Sequence, residues 1–322
     1  MRLCGKLLRV HTELTKSGEI AAQFIKRGGI VAFPTETVYG LGANLFDELA
    51  VAKIFEAKRR PADNPLIAHI ASLDQINELV QELPDAARLF IDAFFPGPLT
   101  LVLKKSDRVP VIATAGLDTI GVRMPGNAAA NAFLKNCGVP VAAPSANISG
   151  RPSPTTWEAV FEDLDGRIDC ILQGEATAIG LESTVVDCTT IDPIVLRSGA
   201  VSIESLREIV PATRLFELGR NEIVRSPGMK HKHYAPTAKV VIVTAGFEIP
   251  ASGSNGFIGI EHPIGDAELM KICDSTEDYA HSVFAFFREC DRRNIETIYC
   301  HSVNETGIGV ALMDRLRRAE SR

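Results

Sequence analysis

The sequence predicts an α/β protein made of two units joined by a polar segment. Over roughly the first two hundred residues, short apolar runs with strand character alternate with segments of helical periodicity. A polar, basic stretch without periodicity then follows, RNEIVRSPGMKHKHYAPT at 220–237. Strands and helices resume after it, in a segment long enough to form a core of its own. The predicted boundaries are 1–211, 212–237 for the linker, and 238–322.

The predicted elements of the first unit begin with a helix over 17–27 that ends at Gly28, followed by a buried strand over 30–33. Asp47 is suited to cap the next helix, which ends near Pro61. Further strands are predicted at 66–70, 99–103, 120–123, 139–143, 170–172, 184–187 and 194–197. Further helices are predicted at 72–79, 84–95, 127–137, 156–164 and 203–210.

The second unit is predicted from fewer elements. Apolar runs indicate strands at 238–244, 257–260 and 297–301, and helical periodicity indicates helices at 277–293 and 308–319. Gly307 and Gly309 follow a strand and open a helix, but Leu312 stands where a dinucleotide-binding fingerprint needs a third small residue. A tight turn is therefore the favoured interpretation of these glycines.

Composition and charge exclude several classes of protein. The net charge of −6 argues against a protein whose main task is to grip nucleic acid. No apolar run is long enough to span a bilayer, and the first residues show no secretion signal. Seven cysteines without paired spacing indicate free thiols in a reducing compartment. We expect a soluble cytoplasmic protein without a membrane partner.

The stretch PTETVYGLG at 34–42 follows the strand at 30–33 and carries hydroxyls, a carboxylate and a phenol. Open α/β sheets place ligands at the carboxyl ends of their strands, so this stretch is a candidate ligand loop. The alternative is a turn whose threonines bond only to their own backbone. From the stretch alone the two interpretations are equally good.

Basic and polar side chains recur where other predicted elements end. Lys58 and Arg60 lie at a broken helix end, where they could face a polyphosphate or simply favour the helix C-terminus. The loop PSANISGRPS at 144–153 is dense in groups that can bind phosphate, although a capped turn is the alternative. Arg123 and Arg197 each end an apolar strand and could pair with a carboxylate or form surface ion pairs.

Several familiar catalytic patterns are absent from the sequence. There is no P-loop, no GxSxG nucleophile motif, and no set of ligands that completes a metal site with His231 and His233. Chemistry in this protein would therefore depend on positioning and on stabilisation of charge.

The first unit contains a series of motifs, in the order PTETVYGLG, KRRP with NPL and His69, FFPGPLTLVL, TIGVRMP, PSANISGRPSPT, ESTVVD and LRSGA. In this order and spacing they resemble the L-threonylcarbamoyladenylate synthase (YrdC-like) family. SPGMKHKHYAP and ETGIGVALMDRLRRA resemble the long two-domain form of that family. The resemblance covers nearly the whole chain. It implies a large YrdC-like domain with a twisted mixed sheet, a basic extended linker and a small Rossmann-like α/β domain.

The resemblance also implies an activity. L-Threonine, bicarbonate and ATP would give threonylcarbamoyl-AMP and pyrophosphate, towards threonylcarbamoyladenosine in tRNAs that read ANN codons. This activity would make the protein a nucleotidyltransferase that uses Mg²⁺ with ATP and has no prosthetic group. It would hand its product to tRNA threonylcarbamoyl-transfer machinery without binding tRNA stably itself.

Site residues are carried over from the same resemblance. Lys58 and Arg60 form the catalytic KxR pair, and Ser145 and Asn147 form the SxN pair. L-Threonine would be held by Thr37, His69, Arg123, Ala143 and Ser183. ATP would be held by Arg60, Asn64, Thr119, Ser145, Asn147, Ser153, Arg197 and His233. No protein residue is expected to bind a metal. The linker, with Arg225, Lys230 and His233, would close over the nucleotide as a lid.

Two other classes of function remain as alternatives. An RNA-binding module could use the basic residues as a groove, although the net charge of the chain counts against it. The second alternative is another carbamoyl-transfer enzyme, because YrdC-like units also occur in hydrogenase maturation proteins. Those proteins carry acylphosphatase and zinc-finger segments, and this sequence has no CxxC.

Overall fold

The computed structural model describes residues 11–216 and 234–320. The predicted α/β class is confirmed, since helices alternate with strands that form one large mixed sheet and one small sheet. Within the described ranges, no helix has both the length and the apolar character needed to cross a membrane. Most of the predicted linker, including Arg225, Lys230 and His233, lies outside the described residues.

The large sheet has eleven strands in the spatial order β1-β8-β2-β3-β7-β4-β6-β5-β9-β10-β11. The strands are β1 Glu13–Thr15, β2 Val31–Phe33, β3 Gly40–Asn44, β4 Ile67–His69, β5 Leu99–Lys104, β6 Thr119–Arg123, β7 Val141–Ala143, β8 Cys170–Leu172, β9 Thr184–Asp187, β10 Ile194–Arg197 and β11 Arg214–Leu215. Parallel and antiparallel pairings are mixed: β4 runs parallel to β6, whereas β5 runs antiparallel to it. The parallel register sets His69 opposite Arg123 at the ends of their strands.

Helices cover this sheet and bury its apolar side chains. They are α1 Gly18–Lys26, α2 Glu48–Lys58, α3 Ile76–Leu79, α4 Asp85–Phe94, α5 Val111–Thr114, α6 Ala128–Cys137, α7 Trp157–Leu164 and α8 Ile203–Ile209, with a short 3₁₀ turn at Leu73–Gln75 before α3. The predicted cap is present, because the Asp47 side chain accepts from the backbone N–H groups of Leu49 and Ala50. Asn127 and Thr156 cap α6 and α7 in the same way.

The glycines of the PTETVYGLG stretch lie in a strand, not in the loop that the sequence predicted. β2 and β3 pair antiparallel, with Phe33 opposite Gly40 and Val31 opposite Gly42. A Cβ atom on Gly42 would lie 2.5 Å from a methyl group of Val141 and 3.0 Å from the Phe33 ring. Gly42 is therefore required by close packing between strands.

The second unit has a parallel four-stranded sheet in the order β12-β15-β13-β14. Its elements are β12 Lys239–Val243, β13 Asn255–Gly259, β14 Leu269–Ile272, α9 Thr276–Arg292, β15 Thr297–His301 and α10 Gly309–Glu320. Both helices pack on the same core, which also takes in Val38 and Leu181 from the first unit. The two units therefore share a continuous apolar contact.

Four strands were not predicted from the sequence, namely β1, β3, β11 and β14. β1 and β11 are edge strands of three and two residues, and all of their side chains except that of Thr15 are exposed, so they show no apolar period. β14 is half-buried along its whole length and gives no alternation. The segment predicted as the linker, 212–237, contains β11. β11 pairs with β10, so this part of the segment still belongs to the large sheet.

The cysteines of the described residues are free and buried, in agreement with the interpretation of the sequence. Three belong to each unit: Cys137, Cys170 and Cys188 in the first, and Cys273, Cys290 and Cys300 in the second. Burial raises the pKa of every one of these thiols, to about 12 for Cys137 and about 11 for Cys273.

Candidate functional site

One cavity collects most of the predicted site residues at the strand ends of the large sheet. The predicted residues that line it are Arg60, Thr37, His69, Arg123, Ala143, Ser145, Asn147, Ser153, Ser183 and Arg197. Lys58, Asn64 and Thr119 were predicted as well but do not line it, and His233 lies outside the described residues. Glu182 and Tyr234 line the cavity without having been predicted as site residues.

Arg123 is held on several sides at the end of β6. Its Nε donates to the Gly97 carbonyl at 3.2 Å, and Nη1 donates to the Thr37 hydroxyl at 2.9 Å. Nη2 forms a 2.8 Å ion pair with Glu36 Oε1. Burial raises the pKa of the Glu36 carboxyl, but Arg123 more than offsets this, so the pKa lies below its ordinary value. Glu36 is thus a charged partner that orients Arg123.

Thr37 can only accept a hydrogen bond from a ligand. The Thr35 hydroxyl donates to the Val38 carbonyl at 2.7 Å, so the 2.8 Å contact between the two threonine hydroxyls uses the Thr37 hydrogen. Arg123 occupies one of the two lone pairs of Thr37 Oγ1. The remaining lone pair suits an ammonium or hydroxyl group of a ligand. Thr35 therefore supports Thr37 from behind.

Tyr39 has a supporting role in the same stretch. Its hydroxyl donates to the Gly174 carbonyl at 3.1 Å and accepts from the Gly174 backbone N–H at 3.2 Å. Burial raises the pKa of this phenol, so it stays protonated. The phenol fixes the loop at 174 and does not act as an acid or base.

His69 is neutral in this environment. Its Nδ1 lies 3.2 Å from the Ile67 carbonyl oxygen, and in the tautomer that carries its hydrogen on Nδ1 the other ring nitrogen, Nε2, is an acceptor. The Phe33 ring meets the imidazole edge-on, with ring centroids 5.7 Å apart. Burial, reinforced by the charge of Arg123, lowers the pKa of His69 to about 3.

This low pKa predicts a measurable loss of stability in mild acid. Between pH 6.5 and 3 the unfolded chain protonates His69 while the folded chain does not, so the unfolded state binds more protons and stability falls as pH falls. From pH 7 to 5 the loss from this one group is about 2 kcal/mol. Urea unfolding of the wild type and of His69→Gln at both pH values measures it. Equal losses in the two proteins would contradict the assignment, since all other groups are common to both.

Lys58 lies beneath the cavity and not in its wall. The side chain is buried, and Nζ donates to the backbone carbonyls of Ser145 and Asn147, each at 2.5 Å. Burial, with a further contribution from nearby Arg60, lowers the pKa of Lys58 well below its ordinary value. In this arrangement Lys58 fixes the path of the SxN loop.

The SxN loop is also bonded within itself. The Ser145 hydroxyl donates to Asn147 Oδ1 at 2.5 Å, and the Asn147 amide donates to the carbonyls of Ile148 and Arg151, each at 2.9 Å. Both side chains line the cavity. The loop is therefore a rigid wall in which Ser145 Oγ is available as an acceptor.

Arg60 reaches the cavity from the segment after α2. Its Nε and Nη2 each lie 3.3 Å from the Asn64 carbonyl oxygen, and Nη2 also donates to the Pro65 carbonyl at 3.2 Å. Burial lowers the pKa of Arg60 to about 10, so it remains a cation at neutral pH. The backbone carbonyl of Asn64 therefore orients Arg60. Asn64 itself does not line the cavity.

Thr119 lies at the opposite end of β6 from Arg123 and does not line the cavity. It begins β6, and Arg123 ends the same five-residue strand. At about 3.3 Å per residue the two ends are roughly 13 Å apart. Sequence order placed both residues in one motif, but an extended strand separates them.

Glu182 connects the cavity to the second unit. Its Oε1 accepts from the Ser153 hydroxyl at 2.6 Å, and Oε2 accepts from Arg315 Nε of α10 at 3.0 Å. Burial raises the pKa of this carboxyl, but Arg315 and Arg197 reverse the shift, so the pKa is lowered overall. Arg315 is 0% exposed and also donates to the Ser198 carbonyl. Its guanidinium carbon lies 5.3 Å from the centre of the Tyr234 ring.

A second arginine joins the two units at the back of the SxN loop. Arg288 of α9 pairs with Asp163 through Nη2 at 2.9 Å and donates to the Pro152 carbonyl at 2.6 Å. Asp163 also accepts from the Ile148 backbone N–H. A signal for both arginines exists in the sequence, because each occupies the apolar stripe of an amphipathic helix, Arg288 four residues after Phe284 and Arg315 three after Leu312.

The arrangement suits a ligand with several negative charges and a small zwitterion. Arg60, Arg123 and Arg197 bring three cations to one cavity, while Thr37 and His69 offer acceptors beside Arg123. Among the residues that the structure describes, no group of three or more His, Cys, Asp or Glu could hold a metal ion.

Comparison with known proteins gives matches over nearly the full chain. A Sua5/YciO/YrdC family model, described as telomere recombination, matches residues 23–199, and a model described as the C-terminal domain of threonylcarbamoyl-AMP synthase matches residues 201–321. The threonylcarbamoyl-AMP synthase of Pyrococcus abyssi is 44% identical, with 93% of each chain covered. That of Bacillus subtilis is 41% identical, with 93% of this chain and 91% of the relative covered.

A solved structure agrees with these relatives. The crystal structure of P. abyssi Sua5 complexed with L-threonine superimposes with a TM-score of 0.87 at 42% identity and covers 97% of each chain.

Proposed function

The chain belongs to the Sua5/YciO/YrdC family of threonylcarbamoyl-AMP synthases, and from this we propose that it makes threonylcarbamoyl-AMP and pyrophosphate from L-threonine, bicarbonate and ATP. The observation that carries the proposal is the wall formed by Arg123, Thr37 and His69. It offers a guanidinium for a carboxylate next to acceptors for an ammonium and a hydroxyl. A relative of the same architecture binds L-threonine.

We assign the two substrates to two parts of the cavity. L-Threonine contacts Thr37, His69, Arg123, Ala143 and Ser183. ATP lies against the basic and polar residues Arg60, Ser145, Asn147, Ser153 and Arg197, which line the same cavity. Three residues predicted for ATP binding or catalysis do not line the cavity, namely Lys58, Asn64 and Thr119. A fourth, His233, lies outside the described residues. Their roles remain predictions.

The proposed chemistry is transfer of an adenylyl group, which makes the enzyme a nucleotidyltransferase. The neutral amine of threonine takes up bicarbonate as a carbamate with loss of water. A carbamate oxygen then attacks the α-phosphorus of ATP, the bond to the β-phosphate oxygen breaks, and pyrophosphate leaves. Arg60 stabilises charge on the phosphates while Arg123 fixes the amino acid. No protein nucleophile takes part.

We propose that Mg²⁺ arrives with ATP as part of the substrate. The cavity carboxylate of Glu182 is already engaged through both oxygens by Ser153 and Arg315. No step above depends on a metal bound to the protein.

Further parts of the proposal concern the rest of the chain. We infer that the linker acts as a lid and that the second unit is a small Rossmann-like domain that anchors it, since β12 begins directly after the linker. We also infer that the enzyme works in the cytoplasm and passes its product to tRNA threonylcarbamoyl-transfer machinery.

The test is pyrophosphate release by the full chain with Mg²⁺ and ATP. We expect release that requires both L-threonine and bicarbonate, together with threonylcarbamoyl-AMP detected by mass spectrometry. Omission of either co-substrate, and replacement of L-threonine by L-valine, are the controls. Release that proceeds equally without threonine, or tRNA retention at physiological salt with no turnover, would overturn the proposal.

A further inference from the structure

The hydroxyl of Ser183 lies between two hydrogen-bond partners at the start of β9. Arg197 Nη2 donates to Ser183 Oγ at 3.1 Å, and the same guanidinium donates to the Ser183 carbonyl at 2.9 Å. On the other side, Ser183 Oγ lies 2.8 Å from the hydroxyl of Thr100, in the neighbouring parallel strand β5. Thr100 is fully buried and does not line the cavity, whereas Ser183 does.

The direction of the bond between these hydroxyls follows from counting hydrogens. Among the described residues, Ser183 is the only hydrogen-bond partner of Thr100 Oγ1. If Ser183 donated to Thr100, the Thr100 hydrogen would be buried without an acceptor, at a cost of about 1–3 kcal/mol. Thr100 therefore donates to Ser183.

This assignment determines what Ser183 can do. A serine oxygen has two lone pairs, and Arg197 and Thr100 occupy one each. The Ser183 hydrogen then has no acceptor in the protein among the described residues and is left for the cavity. Both donors also withdraw charge from Ser183 Oγ, which makes its O–H a stronger donor.

We propose that Thr100 is a positioning residue that makes the Ser183 hydroxyl an obligatory donor to an anionic group of the bound amino acid. That group is the carboxylate or the carbamate formed on the amine, and the neighbouring Arg197 guanidinium favours the same charge. Thr37 has the opposite polarity because its own hydrogen is held by Thr35. The amino-acid part of the cavity thus has one hydroxyl that donates and one that accepts. The inference rests on the proposed function.

The experiment compares two substitutions that separate the hydroxyl of Thr100 from its methyl group. Thr100→Val removes the hydroxyl and keeps the shape, whereas Thr100→Ser keeps the hydroxyl and removes Cγ2, which faces Gly121. In Thr100→Val we expect KM for L-threonine to rise about five- to tenfold, as for loss of one hydrogen bond. The KM for ATP should change less than twofold. In Thr100→Ser both KM values should stay within twofold of the wild type.

A double-mutant cycle with Ser183→Ala completes the test. Thr100→Val should add no further increase in the KM for L-threonine when Ser183 is already alanine, because it acts only through that hydroxyl. The inference is overturned if Thr100→Ser is the more impaired variant, since packing would then explain the effect. It is also overturned if the Thr100→Val effect persists beside Ser183→Ala, or if Thr100→Val equals the wild type. Absence of threonine-dependent turnover in the wild type would instead overturn the proposed function.

Discussion

Replacement of Arg315 by methionine is expected to lower the free energy of unfolding by about 3–5 kcal/mol. The guanidinium is fully buried and is bonded to Glu182, Asp314 and the Ser198 carbonyl. Methionine fills a similar volume but leaves the Glu182 carboxylate buried without its nearest counter-ion. The lowered pKa of Glu182 should rise in the variant, because Arg315 is the main charge that holds it down.

The matched control lies on the same helix. Arg317 pairs with Glu305, but its side chain is 52% exposed, so Arg317→Met should cost no more than about 1 kcal/mol. Urea unfolding of both variants at pH 7 measures the difference. Similar small losses would show that the Arg315–Glu182 pair is not needed for stability. Because Glu182 also holds Ser153 in the cavity wall, Arg315→Met should weaken ATP use as well.

Replacement of Arg123 by lysine is expected to reduce kcat/KM for L-threonine about 100-fold, as for loss of two charge-assisted hydrogen bonds. Lysine keeps the positive charge but has no planar fork. It cannot donate to Gly97, Thr37 and Glu36 together and still present two parallel donors to a carboxylate. Steady-state kinetics with L-threonine varied at saturating ATP and bicarbonate measures the loss.

Arg108→Lys is the control for this substitution. Arg108 is 63% exposed, pairs with Glu78 at 2.9 Å and lies outside the cavity, so kcat/KM should stay within about twofold of the wild type. A wild-type value in Arg123→Lys would show that charge alone, and not bidentate geometry, binds the amino acid at this position.

Much of the fold could be predicted from local patterns. Strands with a continuous apolar run, such as β8, β9, β10 and β15, were predicted with their observed bounds, and helix ends followed from capping residues such as Asp47. The glycines of β3 could not be understood in this way. Gly42 is required by Val141 and Phe33, which lie on two other strands, and local patterns do not show which strands pack against β3.

The same distinction applies to the candidate site, where local patterns predict the positions of some residues and not of others. Residues at strand ends, such as His69 and Arg123, could be predicted to meet, because parallel strands bring their carboxyl ends together. Motif order does not show that Lys58 lies beneath the cavity wall, or that Thr119 lies at the opposite end of β6 from Arg123. These positions depend on burial and on strand direction. The arginines of the second unit were overlooked because charged residues on a helix are usually solvated.

The buried cysteines give each unit its own chemical reporter of opening. Six thiols are at most 3% exposed and have raised pKa values, so they should resist alkylation in the native state: Cys137, Cys170 and Cys188 in the first unit, and Cys273, Cys290 and Cys300 in the second. Alkylation would therefore proceed only through local or global unfolding. Since the two sets lie in different units, peptide mass spectrometry can follow the opening of one unit while the other stays closed.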